Sequence, residues 1–216
     1  MLNKLKSPTK ICKGCFKEFV DESFYSLFND DSLYCFECSN KLKPKFITRK
    51  IGDVKLLSIY EYDETIKSYL FQLKGCYDIE ISSLFLNRIK SEIKLYLRGY
   101  ELLPIPSYYV EDEKRGFNHV IEIFKLLGLT LSFILYKTKD YKQSSMHFNE
   151  RKNIKNVLAI KNGESLEGKN VCIVDDVFTT GNTIKTAIEL VQKYHPKKIK
   201  VVVISMTSYR DKWDTN

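Results

Sequence analysis

No run of apolar residues in this 216-residue sequence is long enough to cross a membrane, so membrane insertion is not expected. The first residues, MLNKLKSPTKIC, carry positive charge but lead into no apolar core, so they do not read as a secretory leader. These two absences place the chain in the cytoplasm. Glycine and proline are scarce, 9 and 5 residues, and nothing repeats or falls to low complexity, which leaves a globular chain. No G-x4-G-K-[ST] stretch occurs, so a Walker-type phosphate loop is excluded.

What is present fits one good-sized domain with a small appendage. Hydrophobic residues make up 44% and charged residues 29%, and net charge is +8 with a pI near 9.0. A basic excess suits acidic partners such as nucleic acid, phosphorylated metabolites or an anionic membrane face, although a solvated lysine-rich surface would give the same number. The cations are dense at Lys41–Lys50, Lys137–Lys155 and Lys193–Lys200.

Four of the six cysteines, Cys12, Cys15, Cys35 and Cys38, form C-x2-C-x19-C-x2-C, while Cys76 and Cys172 stand apart and read as buried small residues. Two residues between cysteines let both thiolates approach one metal from a tight turn, and two such turns close a tetrahedral site. Disulfides are the alternative, but they fit poorly in a cytosolic chain. The short segment has little core of its own beyond Phe16, Phe19, Phe24, Tyr25, Phe28, Tyr34 and Phe36. The expectation is a structural Zn2+ ribbon over residues 1–45. Four thiolates leave no open coordination position for catalysis.

After a linker at KLKPKF, strands and helices alternate. VKLLSIYEYD reads as a strand, and DETIKSYLFQLKG as a helix with Ile66, Tyr69, Leu70 and Leu73 on one face and Gly75 as its stop. A second helix is expected over IEISSLFLNRIKSEIKLYLRG, a strand at YELLPIP, a helix at GFNHVIEIFKLLG closed by Gly128, and a strand at LSFILYK. A polar, basic stretch follows from Thr138 to Asn153. Strands at VLAIK and NVCIVDD, a helix over NTIKTAIELVQKYH stopped by Pro196, and a strand at KIKVVVISM complete the pattern. It predicts an α/β domain over 46–216 with a mainly parallel sheet flanked by helices.

One stretch, VCIVDDVFTTGNT (Val171–Thr183), concentrates the chemistry. Its apolar half suits a central parallel strand, and ligands bind such sheets at the carboxyl ends of strands. Asp175 and Asp176 fall there, and Thr179, Thr180, Gly181, Asn182 and Thr183 turn into the next helix. A helix start presents unpaired N–H groups to a phosphate, and adjacent carboxylates accept hydrogen bonds from a vicinal diol. A ribose 5-phosphate offers both. Turn and cap duties would account for each residue singly, but not for the whole run.

The same thirteen residues resemble the phosphoribosyl pyrophosphate (PRPP) motif of type I phosphoribosyltransferases. That resemblance assigns Asp175 and Asp176 to the ribose hydroxyls and Thr179–Thr183 to the 5-phosphate, and it implies Mg2+ bound with PRPP. A four-cysteine ribbon ahead of such a domain is similar to the ComF/ComFC competence family. FQLKGCYD, PIPS, EKRGFNH and KQSSMHFNERKNI extend the match. Where His119 stands, that family often has Gln. The likeness puts a pyrophosphate loop near Ser107, with Arg115 in reach and a hood over Thr138–Asn153 that carries Lys137, Lys139, Lys142 and Arg151. A guanidinium fork matches phosphate oxygens, which favours Arg115 and Arg151 over the lysines.

The family implies an accessory role in natural competence: uptake and handling of incoming single-stranded DNA beside a helicase-like ATPase, in the cytoplasm and held peripherally at the membrane through the uptake machinery. Tyr108, Tyr109, Phe117, Tyr141 and Phe148, interleaved with cations, suit base stacking, though core packing is the stronger reading for Phe117. The second reading is an active PRPP-dependent phosphoribosyltransferase whose acceptor the residues do not spell out. Leu2 in place of a cysteine argues against a glutamine amidotransferase half.

Overall fold

Long strands that are apolar on both faces belong in the middle of a parallel sheet, because helices must cover both sides. In the computed structural model, which describes residues 9–20, 33–107, 109–138 and 157–207, two such strands lie side by side: β8 (Asn170–Phe178) and β9 (Lys198–Met206). They belong to a five-stranded sheet with β3 (Ile47–Ile51), β4 (Val54–Glu61) and β5 (Glu101–Pro104), in the order β3-β4-β9-β8-β5. All neighbours pair in parallel except β3, which folds back on β4 through a turn with Gly52 at φ +57°. The sheet is therefore the mainly parallel one expected, with an antiparallel edge that the charged Ile47–Ile51 segment did not announce.

One face of the sheet packs on α2 (Glu64–Gly75), α3 (Lys90–Tyr96) and α5 (His119–Phe124). Ile66, Tyr69, Leu70 and Leu73 of α2 are buried there, as their spacing predicts. Asp63 caps that helix by accepting the Ile66 N–H at 2.9 Å, a bond of about 1 kcal/mol. Its C-terminal stop falls on Tyr77, at φ +60°, and not on Gly75, which is the last helical residue. The other face packs on α6 (Asn182–Gln192), where Ile184, Ala187, Ile188 and Val191 form the buried stripe. That helix ends before His195 and Pro196.

Two expected elements differ. The helix predicted over 79–99 is broken: Ile79–Phe85 and Asn87–Ile89 wind as 3-10 segments before α3 begins. Asp78 accepts the Glu80 N–H and starts the tighter winding, and Ile81, Leu84, Phe85, Leu86 and Ile89 are all buried, too many directions for one α-helical stripe. Apart from an isolated parallel bridge between Leu131 and Leu102 of β5, the strands at LSFILYK and VLAIK stay outside the main sheet. They form their own antiparallel ribbon, β6 (Leu135–Thr138) with β7 (Val157–Ile160), seated on the α6 side. A short helix, α4 (Tyr109–Arg115), follows β5 where only a loop was expected.

The cysteine-bearing segment contributes the pair β1 (Lys10–Ile11) and β2 (Glu18–Phe19) and the helix α1 (Phe36–Lys41). Cys12, Tyr34, Cys38 and Leu42 share a core with Tyr69 and Leu70 of α2. The Tyr34 hydroxyl donates to the Glu80 carbonyl at 2.6 Å, and Arg88 donates to the Ser39 carbonyl at 3.2 Å. No helix among the described residues is long and apolar enough to cross a membrane.

Candidate functional site

β5 pairs with β8 only as far as Val174, whose carbonyl accepts the Ile105 N–H at 2.9 Å, while β9 follows β8 to Phe178. From Asp175 onward the β5 side of β8 is released from the sheet. The two aspartates stand at that release point, within the strand, three and two residues before its last one. Asp175 is half-buried and takes the Asp176 N–H on Oδ1 at 2.9 Å; Asp176 is buried.

The Asp176 carboxylate meets groups from two helices. The Lys74 ammonium, in the last turn of α2, forms an ion pair with Oδ2, and His119 Nε2 on α5 lies 3.4 Å from the same oxygen. Burial alone would raise the Asp176 pKa, but the His119 ring and the Lys74 charge outweigh it and hold the carboxyl well below the usual range. Asp175 moves the other way: burial and the Asp176 charge push it well above the ordinary carboxylate value. One member of the pair is thus anionic and the other is driven toward the protonated form.

His119 is held neutral, first by burial and then by the Lys74 and Arg115 charges, against the pull of Asp176. Its tautomer follows from its partners. Arg115 Nη1 lies 3.1 Å from Nδ1 and can only donate, so Nδ1 accepts and the proton sits on Nε2, toward Asp176. The Ser107 hydroxyl, 3.2 Å from Nδ1, accepts from Asn118 Nδ2 at 3.2 Å, and Asn118 Nδ2 also reaches Asp112 at 2.8 Å. Asn118 further caps α5 through the Ile121 N–H. The R-G-F-N-H segment therefore builds the support behind His119.

On the far side of the aspartates, Thr179 and Thr180 are exposed and Gly181 begins α6 at φ +73°. A Cβ at Gly181 would stand 2.6 Å from the Phe178 ring, so glycine is required twice over, by dihedral and by space. The first helical bond runs from the Lys185 N–H to the Gly181 carbonyl at 2.8 Å, which leaves the N–H groups of Asn182, Thr183 and Ile184 without helix partners. Asn182 and Thr183 belong to the first turn of α6, and only Thr179–Gly181 form the loop before it.

Ser107 lies just past β5, one hydrogen bond from His119. Arg115, expected to reach the pyrophosphate, is also held by its neighbours. Its side chain is 6% exposed and is spent on Asp112 at 3.2 Å, the Lys74 carbonyl at 3.3 Å, His119 and the face of Phe117. Arg151, Lys139, Lys142, Tyr108, Tyr141 and Phe148 lie outside the described residues. Phe117 is half-buried against the main core, in line with its core reading. Cys172 is buried as expected, but Cys76 is exposed. Lys74 and Asp112 were not legible as site residues. Lys74 had one signal, its place in FQLKGCYD, and nothing in sequence spacing joins that stretch to Asp176. A cavity of about 540 Å3, lined by Ser107, Asp112, Glu113, Phe117, Tyr136 and Lys137 among others, opens beside this network.

The resemblance to PRPP enzymes attaches Mg2+ to this site, and the aspartate pair does not fit a resident divalent ion. The Lys74 ammonium already holds Asp176 Oδ2, and Asp175 is disposed to be neutral. Among the described residues, the only group of three or more side chains spaced to hold a metal is Cys12, Cys15, Cys35 and Cys38, whose sulfurs all lie within 4.8 Å of one another. Four sulfurs around one Zn2+ at about 2.3 Å would stand roughly 3.8 Å apart, and Cys15 Sγ and Cys35 Sγ are 3.8 Å apart. Burial opposes ionisation of Cys12, yet the N–H groups of Cys35 and Gly14 aimed at its sulfur bring the thiol down to about 7. The cluster can hold a metal ion and is compatible with zinc.

These features are those of a phosphoribosyltransferase-type domain, and the family described as phosphoribosyl transferase domain matches residues 113–214. Competence protein ComFC of Streptococcus pneumoniae is 26% identical over 200 residues, 82% of this chain and 90% of that protein. ComFC of Bacillus subtilis is 28% identical over 205 residues, 82% and 85% of the two chains. Human hypoxanthine-guanine phosphoribosyltransferase shares only a local stretch, 51% identical over 37 residues or 17% of each chain. Over most of its length the chain is similar to ComFC competence proteins, and its C-terminal half carries a phosphoribosyltransferase-type domain.

Proposed function

We propose that this protein serves natural competence by handling incoming single-stranded DNA, and that its α/β domain binds PRPP or a related ribose 5-phosphate. The observation that carries the ligand is the order of groups along β8 and α6: an acid driven toward neutrality, an anionic carboxylate, a Thr-Thr-Gly turn and free helix N–H groups. Diol and phosphate of one small molecule match the two ends of that order. Mg2+ enters on this reading with the pyrophosphate of PRPP, as part of the ligand. The cysteine cluster holds structural Zn2+.

The DNA role is supported by the ComFC relatives, by the net charge of +8 and by aromatic side chains on the cysteine-bearing segment. Phe16 and Phe36, each following a metal-spaced cysteine, are 71% and 80% exposed on a segment that also carries Lys13, Lys17 and Lys41. Bases stack on such rings at about 1–3 kcal/mol each while lysines follow the backbone. A helicase-like ATPase is the proposed partner, with the protein on the cytoplasmic face at the uptake machinery. The deciding experiment is a clean deletion scored for transformation and complemented with the Asp175→Asn/Asp176→Asn double variant. Failure to complement supports the reading, and full rescue removes the sugar-phosphate site from the function.

An active phosphoribosyltransferase is the second reading, favoured by the cavity beside Ser107. Its volume, about 540 Å3, is of the size that admits a small acceptor, and Phe117 and Tyr136 in its lining suit a planar one. Pyrophosphate release from PRPP in the presence of candidate acceptors tests it.

A further inference from the structure

We infer that Lys74 is the built-in cation of the ribose-binding carboxylate, so that ribose 5-phosphate binding by this chain requires no divalent ion at the aspartate pair. The inference rests on the sugar-phosphate reading above and goes beyond it in naming what neutralises and orients Asp176.

The argument starts from burial. A carboxylate withdrawn from water this far persists only with a partner charge and hydrogen bonds. Asp176 finds its charge in Lys74, carried to it by the last turn of α2, and its second neighbour in the His119 ring on α5. Both contacts fall on Oδ2. On this inference Oδ1 is the oxygen that accepts from a sugar hydroxyl, while Lys74 balances the charge through Oδ2. A divalent ion needs several oxygen ligands. Here the ammonium already occupies one carboxylate oxygen, and Asp175 Oδ1 is taken by the Asp176 N–H at 2.9 Å. Lys74 is only partly enclosed, its side chain 35% exposed, and is itself fixed to the support network because its carbonyl accepts from Arg115 Nε at 3.3 Å. Among the described residues, the ionisable groups facing Asp176 are Lys74 from α2, His119 from α5, Asp175 from its own strand and, behind His119, Arg115 from α4.

Lys74 is thus a positioning residue that acts through Asp176. The test is calorimetry with ribose 5-phosphate, which lacks the pyrophosphate that would bring Mg2+ with it, on the full chain with its cysteine-bound metal retained. Wild type should bind equally well, within about twofold, in magnesium-free buffer and with Mg2+ added. Lys74→Met should bind about tenfold or more weakly at neutral pH and lose further affinity on acidification, because Asp176 then takes up a proton more readily; Lys74→Arg should restore both. Binding by wild type only when Mg2+ is present overturns the inference, as does Lys74→Met with wild-type affinity and a flat pH profile. Should Lys74→Met fail to fold, the two wild-type measurements decide. Absence of ribose 5-phosphate binding by wild type in both buffers overturns the sugar-phosphate reading itself, and this inference with it.

Discussion

His119 Nε2 and Asp176 Oδ2 face each other at 3.4 Å, both buried. The ring stays neutral because it is enclosed and has Arg115 at its other nitrogen, and the carboxylate stays ionised because Lys74 closes the group. The consequences can be measured one residue at a time.

The two aspartates should not be equivalent. Asp175→Asn replaces a group already driven toward neutrality with a neutral isostere, and the fold should change by less than about 1 kcal/mol. Asp176→Asn leaves Lys74 without its anion and should destabilise by roughly 1–3 kcal/mol and abolish sugar-phosphate binding. Urea unfolding and calorimetry of the two single variants check this; equal losses would contradict the asymmetry.

His119 gives the stability a pH dependence of known sign. Its folded pKa lies below the ordinary value of about 6.5, so the unfolded chain binds a proton more readily. The stability contributed by neutral His119 is therefore present above about pH 6.5 and is lost as pH falls through that value toward the folded pKa. His119→Gln, which cannot titrate, should remove this part of the acid loss. Denaturant midpoints of the two proteins at neutral and mildly acidic pH make the comparison.

Gly181→Ala forces a Cβ into the left-handed region and against the Phe178 ring. A cost of about 1–3 kcal/mol is expected, together with loss of sugar-phosphate affinity, since the turn would shift the α6 N–H groups. Circular dichroism melts and ligand calorimetry report the two effects separately.

Purified, untagged protein should contain close to one zinc per chain. Cys38→Ser should lower both metal content and thermal stability, because Cys38 is buried with Cys12 and Tyr34 in the core that includes Tyr69. Each kcal/mol lost should appear as about 2–4 °C in a chain of this size. An unchanged melting temperature would mean that the α/β body does not depend on the cluster.

Much of the framework was legible. NVCIVDD and KIKVVVISM declare central strands because both faces are buried, and the α2 and α6 stripes repeat at helical spacing. The paired cysteines and the Thr-Thr-Gly turn are short-range patterns, and short-range geometry is what sequence spacing reports. The break at 79–99 was hidden because its apolar residues face several directions, and the β6–β7 ribbon because an apolar strand does not state its partner. Arg115 was read as a pyrophosphate contact; nothing in its neighbours showed that Asp112, His119 and the Lys74 carbonyl would also converge on it.

By itself, the sequence determined which groups are available: four thiols spaced for one metal, two adjacent acids at a strand end, and a glycine turn opening a helix. Only the tertiary structure decided their state, because the charge on a buried acid depends on desolvation and on partners brought in by other elements. Lys74 and His119 reach Asp176 from α2 and α5, and their convergence makes one aspartate an anion while its neighbour tends to hold its proton.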